Sequence, residues 1–425
     1  MGKNNKRIVV LIALITGAIM HMKAQTGMGF FESNAFFIAE NDSLDYPTVG
    51  GMDNPQFSEI DLDGDGVLDL FVFDRKTDLV KTFIYNPAMS KYQYAASYER
   101  LFPEDLIDFA LLKDLNCDGF NDIFTFFQGG FKVYFNDATF PLSFTLGIEK
   151  IQTSYGGFET SAFVLAGDIP AIVDVDLDGD LDILTFGTVS SENTIEWQQN
   201  VSIDSFGTCD SVKFIANTRC WGNVQEQLNS ATLEAVSCRG IFTPDTNEGR
   251  GQRHAGSSVL LLDLDNDGDQ DLITGDVGTR NMIRAYNTGD SLSANIDVNT
   301  QSVAFPNAAF PADIAYQASG YEIDVDHDGF NDLIIAPNNY IDSSFNDKQA
   351  WYYRNIDSTG AYNFSMESQS FLSNQMLDLG SATHPQLIDL NGDGLQDLLI
   401  GVDFRRSKYT SHHARLYAFI KSQLG

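Results

Sequence analysis

The chain has 425 residues, of which 43% are hydrophobic and 12% aromatic, so it can bury a sizeable core and is not disordered by composition. Its formal net charge of −33 excludes a nucleic-acid-binding role that needs a basic surface, and it disfavours docking on anionic lipid.

The N-terminus predicts an export signal. Lys3, Lys6 and Arg7 precede an apolar run over residues 8–20, which is shorter than the ~20 residues that cross a bilayer. We predict a signal peptide at residues 1–24 and one β-propeller over residues 25–425, secreted or held on the outer cell surface. No stable transmembrane segment is expected after cleavage. An uncleaved membrane anchor is the alternative.

Six copies of one nine-residue loop follow. They are DLDGDGVLD (loop 1, 61–69), DLNCDGFND (loop 2, 114–122), DVDLDGDLD (loop 3, 174–182), DLDNDGDQD (loop 4, 263–271), DVDHDGFND (loop 5, 324–332) and DLNGDGLQD (loop 6, 389–397). Every copy has Asp at positions 1, 5 and 9, Gly at position 6, and Asp or Asn at position 3. The loops hold 24 of the 59 acidic residues, so the acids are clustered rather than spread over the surface.

This spacing predicts calcium binding. Calcium takes six to eight oxygen ligands in a flexible arrangement, and Gly at position 6 permits the sharp turn that brings alternate side chains together. We expect about six Ca²⁺ ions, each bound by the side chains at positions 1, 3, 5 and 9 and by the position-7 residue, mainly through its carbonyl. The predicted ligands are Asp61, Asp63, Asp65, Val67 and Asp69; Asp114, Asn116, Asp118, Phe120 and Asp122; Asp174, Asp176, Asp178, Asp180 and Asp182; Asp263, Asp265, Asp267, Asp269 and Asp271; Asp324, Asp326, Asp328, Phe330 and Asp332; and Asp389, Asn391, Asp393, Leu395 and Asp397. Turns that only join strands are the alternative.

The segments around the loops predict β-hairpins. Position 12 is never Glu, which an EF-hand requires, and the flanking runs are short and rich in Val, Ile, Leu and Phe. A third β-prone run recurs after each hairpin, and successive loops start 53, 60, 89, 61 and 65 residues apart. We predict an all-β propeller of six to seven four-stranded antiparallel blades. The segment 29–40 is expected to complete the last blade.

The 89-residue interval predicts a cysteine-containing insertion at about 205–245, with a seventh blade that lacks the loop as the alternative. Within it, Cys220 and Cys238 are the favoured disulfide pair, although the sequence does not fix the connectivity.

The repeated loop resembles the FG-GAP/VCBS repeats of bacterial secreted proteins and the calcium-binding blades of the integrin α-subunit propeller. The resemblance spans about residues 51–419, but the Phe-Gly and Gly-Ala-Pro elements of those repeats do not recur as a unit here. The signal sequence is similar to those of exported Bacteroidetes proteins. The resemblance implies a calcium-stabilised propeller and does not carry over the integrin ligand-binding face.

These features favour a binding module over an enzyme. We find no G-x-S-x-G, H-E-x-x-H or P-loop motif and assign no catalytic residue. The predicted function is a monomeric adhesion, ligand-binding or scaffold module for a protein or glycan at the cell surface, in which calcium is structural. The alternative is a carbohydrate-binding propeller or a lyase-like polysaccharide-degrading enzyme.

Residues outside the repeat are the candidate ligand contacts: the stretch GRGQRHAGSS at 249–258 and a surface-exposed Trp221. Trp197 and Trp351 are expected to pack between blades, and His327 is expected to point outward.

Overall fold

The computed structural model describes residues 10–13, 36–39, 42–187, 193–227, 230–237, 256–314, 317–338, 348–379, 383–404 and 413–421. The chain divides into two compact units, one of Met52–Phe371 and one of Met1–Gly51 with Leu372–Gly425. The described structure is almost entirely β. Its one α-helix, α1 (Ser202–Phe206), has five residues, so no described helix has the length of a membrane span.

The strands run in chain order as follows. The first three are β1 (Val10–Ala13), β2 (Phe36–Ala39) and β3 (Asp42–Ser43). Blade 1 comprises β4 (Pro55–Ile60), β5 (Asp69–Asp74), β6 (Leu79–Asn86) and β7 (Lys91–Tyr94), and blade 2 comprises β8 (Ala110–Lys113), β9 (Asp122–Phe126), β10 (Phe131–Asn136) and β11 (Phe144–Ile148). A hairpin of β12 (Gln152–Tyr155) and β13 (Phe158–Ser161) then pairs with the outer strand of blade 3, which comprises β14 (Ala171–Val173), β15 (Asp182–Phe186), β16 (Ile195–Asn200) and β17 (Phe214–Thr218).

The remaining strands complete the ring and the second unit. A separate hairpin of β18 (Val224–Glu226) and β19 (Leu233–Ala235) precedes blade 4, which has β20 (Ser257–Leu262), β21 (Asp271–Asp276) and β22 (Met282–Ala285). Blade 5 has β23 (Ala318–Ile323), β24 (Asp332–Pro337), β25 (Trp351–Asn355) and β26 (Phe364–Ser368), and β27 (His384–Ile388), β28 (Asp397–Phe404) and β29 (His413–Lys421) follow. Single 3₁₀ turns lie at Glu99–Leu101, Trp221–Asn223, Val298–Thr300 and Ser373–Gln375.

The second strand of each blade explains why these sequences form stacked sheets. Strands β5, β21 and β24 are buried at all six positions, and β15 is buried at all five. A strand with sheets packed on both faces cannot alternate between core and solvent, so its sequence is a continuous apolar run. The runs that follow loops 1 to 5 have this character, which fixes each loop between the first and second strands of a blade.

The ring has five blades, so the prediction of six to seven is wrong. The first strands β4, β8, β14, β20 and β23 line one central cavity, and β23 of blade 5 packs against β4 of blade 1. The rings of Phe57 and Tyr321 lie 5.8 Å apart across this closing contact. Arg75 of blade 1 also donates to the backbone oxygen of Asn338 in blade 5 at 3.1 Å. The ring therefore closes within Met52–Phe371.

Loop 6 belongs to the other compact unit and not to the ring, which is why six loops accompany only five blades. Its strands form a six-stranded sheet in the order β27-β28-β29-β1-β2-β3. The segment 29–40 does contribute β2 to this sheet, but β1 lies between β2 and β29 and pairs in parallel with β29. Strand β1 falls inside the predicted signal peptide, whose cleavage stays a prediction.

The cysteine and tryptophan predictions have mixed outcomes. Cys117 and Cys209 form a disulfide that the sequence did not single out. Cys220 is disulfide-bonded as well, but Cys238 lies outside the described residues, so that pairing stays a prediction. Trp197 is buried as expected, with 2% exposed, and so is Trp351. Trp221 is equally buried in the core with Trp197, so its assignment to the surface is wrong.

Candidate metal centres

Two backbone reversals curl each loop around a common centre. Gly at position 6 has a φ between +84° and +100° in all six loops, as the sequence predicts. Position 4 is also left-handed in every loop, although only Gly64 and Gly392 are glycines there. The other position-4 residues, with φ near +60°, are Cys117, Leu177, Asn266 and His327. The second reversal turns the side chains at positions 3 and 5 toward each other and was not apparent from the sequence.

The position-1 and position-5 carboxylates organise the backbone of the loop. In every loop one oxygen of the position-1 aspartate accepts from the position-6 N–H at 2.8–3.0 Å. The position-5 aspartate accepts from the position-7 N–H at 2.8–3.2 Å. This bond holds the backbone of position 7 beside the centre of the loop, where the sequence predicts that its carbonyl binds the cation.

The position-9 aspartate has different surroundings. It is at most 1% exposed in every loop, and one of its oxygens accepts from the position-2 N–H at 2.8–3.1 Å. In loops 1 to 5 its other oxygen accepts at 2.7–2.9 Å from a backbone N–H on the third strand or, in blade 4, two residues beyond that strand. The donors are Tyr85, Asn136, Asn200, Asn287 and Asn355. This carboxylate therefore joins the loop to the third strand of its own blade.

Burial raises the pKa of the position-9 carboxyls of loops 1 to 5. It raises the pKa of Asp69 and Asp332 to about 6, that of Asp122 and Asp271 to about 7, and that of Asp182 to about 8. In each case desolvation outweighs the two backbone donors, which favour the charged form. A cation beside these carboxylates would stabilise the ionised form that burial disfavours.

Four loops bring three carboxylate oxygens within 4.8 Å of one another. The groups are Asp61, Asp63 and Asp69; Asp174, Asp176 and Asp178; Asp263, Asp265 and Asp271; and Asp324, Asp326 and Asp332. The carboxylates at positions 1 and 3 thus lie together in all four loops. The third carboxylate is at position 9 in loops 1, 4 and 5 and at position 5 in loop 3. Oxygen-only ligand sets of this kind suit Ca²⁺ rather than softer metals.

Loops 2 and 6 replace one carboxylate by an amide. Asn116 donates to Asp118 at 3.1 Å, and Asn391 donates to Asp393 at 2.9 Å. An amide hydrogen facing a carboxylate relieves the repulsion that three clustered carboxylates produce. These loops share the backbone hydrogen bonds of the others, but their acids need a cation less.

Loop 3 shows the clearest fit to a cation. Asp176 Oδ1, Asp178 Oδ2 and Asp180 Oδ1 are buried without a hydrogen-bond donor in the described structure. A buried carboxylate oxygen without a donor is costly, and a bound cation removes that cost. Loops 4 and 5 each have one such oxygen, on Asp269 and Asp326. The residues present therefore fit calcium, and loop 3 fits it best.

Position 4 contacts the next blade around the ring at three of the five junctions. Cys117 of loop 2 is bonded to Cys209 in blade 3. His327 of loop 5 does not point outward as expected, because its ring lies 3.7 Å from that of Tyr85 in blade 1. A Cβ at Gly64 of loop 1 would lie 2.9 Å from the ring of Phe140 in blade 2, so only glycine fits that contact.

The central cavity is a second candidate site. It has a volume of about 300 Å³, at the lower end of the range for small-molecule pockets. Apolar and polar surface contribute about equally to its wall, and Glu59, Lys113 and Glu322 line it near the loop ends of the first strands. Of the other predicted ligand contacts, residues 249–255 lie outside the described residues.

Comparisons with known proteins identify no family for this chain. No protein-family model matches the chain, and no match was found among curated proteins. Among solved structures, the chain is similar to an Agrocybe aegerita lectin studied for its specific recognition of non-reducing terminal N-acetylglucosamine. The two share 15% sequence identity at a TM-score of 0.32, over 86% of this chain and 80% of that chain.

Proposed function

We propose that this protein is an exported, calcium-stabilised propeller that serves as a ligand-binding or scaffold module at the cell surface. The observation that carries the calcium role is loop 3, where three buried carboxylate oxygens have no donor. Similar groups of acids in loops 1, 4 and 5 extend the same role around the ring. Calcium is structural in this proposal, because the loops join strands within each blade and contact the next blade.

The calcium role is tested by thermal unfolding of the mature chain in excess EDTA and in millimolar CaCl₂. A ligand that binds only the native state raises stability by RT ln(1 + [L]/Kd), which is about 2.7 kcal/mol per site at 100 times Kd. We expect a clear rise in melting temperature with calcium and a smaller one with magnesium, which requires a stricter octahedral site. Identical melting temperatures in EDTA and calcium would refute the proposal.

We propose the central cavity as the ligand site, because its mixed apolar and polar wall and its charged residues suit a small amphipathic group. A panel of protein and glycan ligands would be screened against the calcium-loaded protein and against Leu260→Trp, which fills the cavity. Leu260 lines the cavity and is only half-buried, so the larger side chain is expected to leave the fold intact. Binding that is lost in this variant supports the placement, whereas unchanged binding assigns the ligand to another surface.

A further inference from the structure

In blades 3 and 5 the third strand places one side chain beside the loop of its own blade. Asn200 in blade 3 and Asn355 in blade 5 occupy the same position, because the backbone N–H of each donates to the position-9 aspartate of its loop. The residues directly before them are Gln199 and Arg354. Both reach the position-3 aspartate, but one carries no charge and the other is always positive.

In loop 5 the arginine occupies two of the predicted ligand oxygens. Arg354 Nε lies 2.5 Å from Asp326 Oδ2, and Arg354 Nη2 donates to Asp328 Oδ2 at 3.1 Å. Asp326 and Asp328 are positions 3 and 5, so the guanidinium bridges both sides of the loop. Its side chain is 43% exposed, which leaves it room to move away.

In loop 3 the equivalent contact is neutral. Gln199 Nε2 donates to Asp176 Oδ2 at 2.5 Å, while Gln199 Oε1 accepts from Asn217 at 2.7 Å. The amide is therefore held in one orientation and supports the position-3 carboxylate without neutralising it. Three carboxylate oxygens in loop 3 have no donor, against one in loop 5.

We propose that this third-strand residue sets the cation affinity of its loop, and that Arg354 makes loop 5 a self-neutralised site that binds calcium more weakly than loop 3. A divalent cation must displace the guanidinium from Asp326 and Asp328 or bind against its charge. Loop 3 then fills at low calcium and loop 5 only at higher calcium. The inference rests on the proposed calcium role and adds a residue that distinguishes two similar loops.

Reciprocal substitutions in the full mature chain test this. Arg354→Gln copies loop 3 into loop 5 and is expected to tighten calcium binding there about tenfold, an estimate reduced for the exposure of the ion pair. Gln199→Arg is expected to weaken loop 3 by a similar factor, and Arg354→Lys to keep loop 5 weak. Calcium isotherms measure the affinities, and anomalous diffraction from crystals soaked in limiting terbium reports the occupancy of each loop.

Arg280→Gln is the matched control, because it also removes an exposed arginine from an ion pair, with Asp313 outside the loops. If the native protein binds no calcium, the proposed function fails. If it binds calcium but Arg354→Gln alters the isotherm no more than Arg280→Gln does, this inference is overturned. Thermal unfolding in EDTA shows whether each variant is folded. If the buried Gln199→Arg variant does not fold, the half-exposed Arg354→Gln variant still tests the inference.

Discussion

The acids at the tip and at the base of each loop are the same residue type in different surroundings. The tip carries positions 1, 3 and 5, whose carboxylates are exposed or half-buried in most loops and bind mainly backbone N–H groups of the loop itself. The base is position 9, which is buried and bonded both to the loop and, in loops 1 to 5, to the third strand. The difference indicates that the base helps to build the blade, and under the proposed calcium role we expect the tip to respond to a cation.

The largest expected effect is at the base. Asp122→Ala in loop 2 removes the acceptor of the Leu115 and Asn136 backbone N–H groups. Each buried donor left without a partner costs about 1–3 kcal/mol, so we expect a loss of roughly 3–5 kcal/mol in the free energy of unfolding. Urea denaturation should show this loss in EDTA and in calcium alike. The tip variant Asn116→Ala, at a half-buried position, is the control, with a change of at most about 0.5 kcal/mol in EDTA.

A loss that appeared only in calcium would make Asp122 a ligand with no separate role in the blade. The comparison between base and tip would then be wrong.

A smaller effect is expected at the tip, and only with calcium. Asp178→Asn in loop 3 removes one of the three clustered carboxylates. If calcium affinity at this loop falls 100-fold, the protein loses up to about 2.7 kcal/mol at saturating calcium. In EDTA the same variant should be no less stable than the native protein, because it relieves repulsion. Thermal unfolding with calcium and in EDTA measures the two stabilities, and the exposed Asp210→Asn is the control. An equal loss of stability with and without calcium would mean that Asp178 supports the fold itself, as the base aspartates do.

The smallest expected effect for any single residue is on pH dependence in excess EDTA. The base carboxyls of loops 1 to 5 have a folded-state pKa of about 6 to 8, above their ordinary value, so the folded chain binds more protons than the unfolded chain in this window. Calcium-free stability should therefore rise as pH falls from 8 to 6, by about 1 kcal/mol per pH unit for each carboxyl that titrates. Calcium favours the ionised form and should flatten or reverse this slope. A calcium-free stability that increases with pH would contradict the assignment.

The sequence predicted the local structure of the hairpins well. The apolar runs expected on either side of loop 1 form β4 (Pro55–Ile60) and β5 (Asp69–Asp74), and the third run of blade 2 forms β10 (Phe131–Asn136). These elements depend on apolar runs, Asp-Gly turns and spacing, which are local properties of the chain.

The contacts between blades could not be predicted in the same way. The number of blades depends on the closing contact between Phe57 and Tyr321, which are far apart in the sequence. The bond between Cys117 and Cys209 spans 92 residues, while the sequence favoured a nearer pair. The effect of Arg354 on loop 5 likewise depends on strand pairing that brings it back to Asp326.

The left-handed residue at position 4 bears on how such repeats can be exchanged. Positions 1, 5, 6 and 9 are the same in every copy, so the backbone hydrogen bonds of one loop could form equally well in another. Position 4 is matched to one neighbour, cysteine to Cys209, histidine to Tyr85 and glycine to Phe140. A duplicated or shuffled blade would keep the shape of its loop and lose its fit to the adjacent blade. The order of blades 1, 2 and 5 in the ring is thus encoded in the one loop position whose residue type varies most.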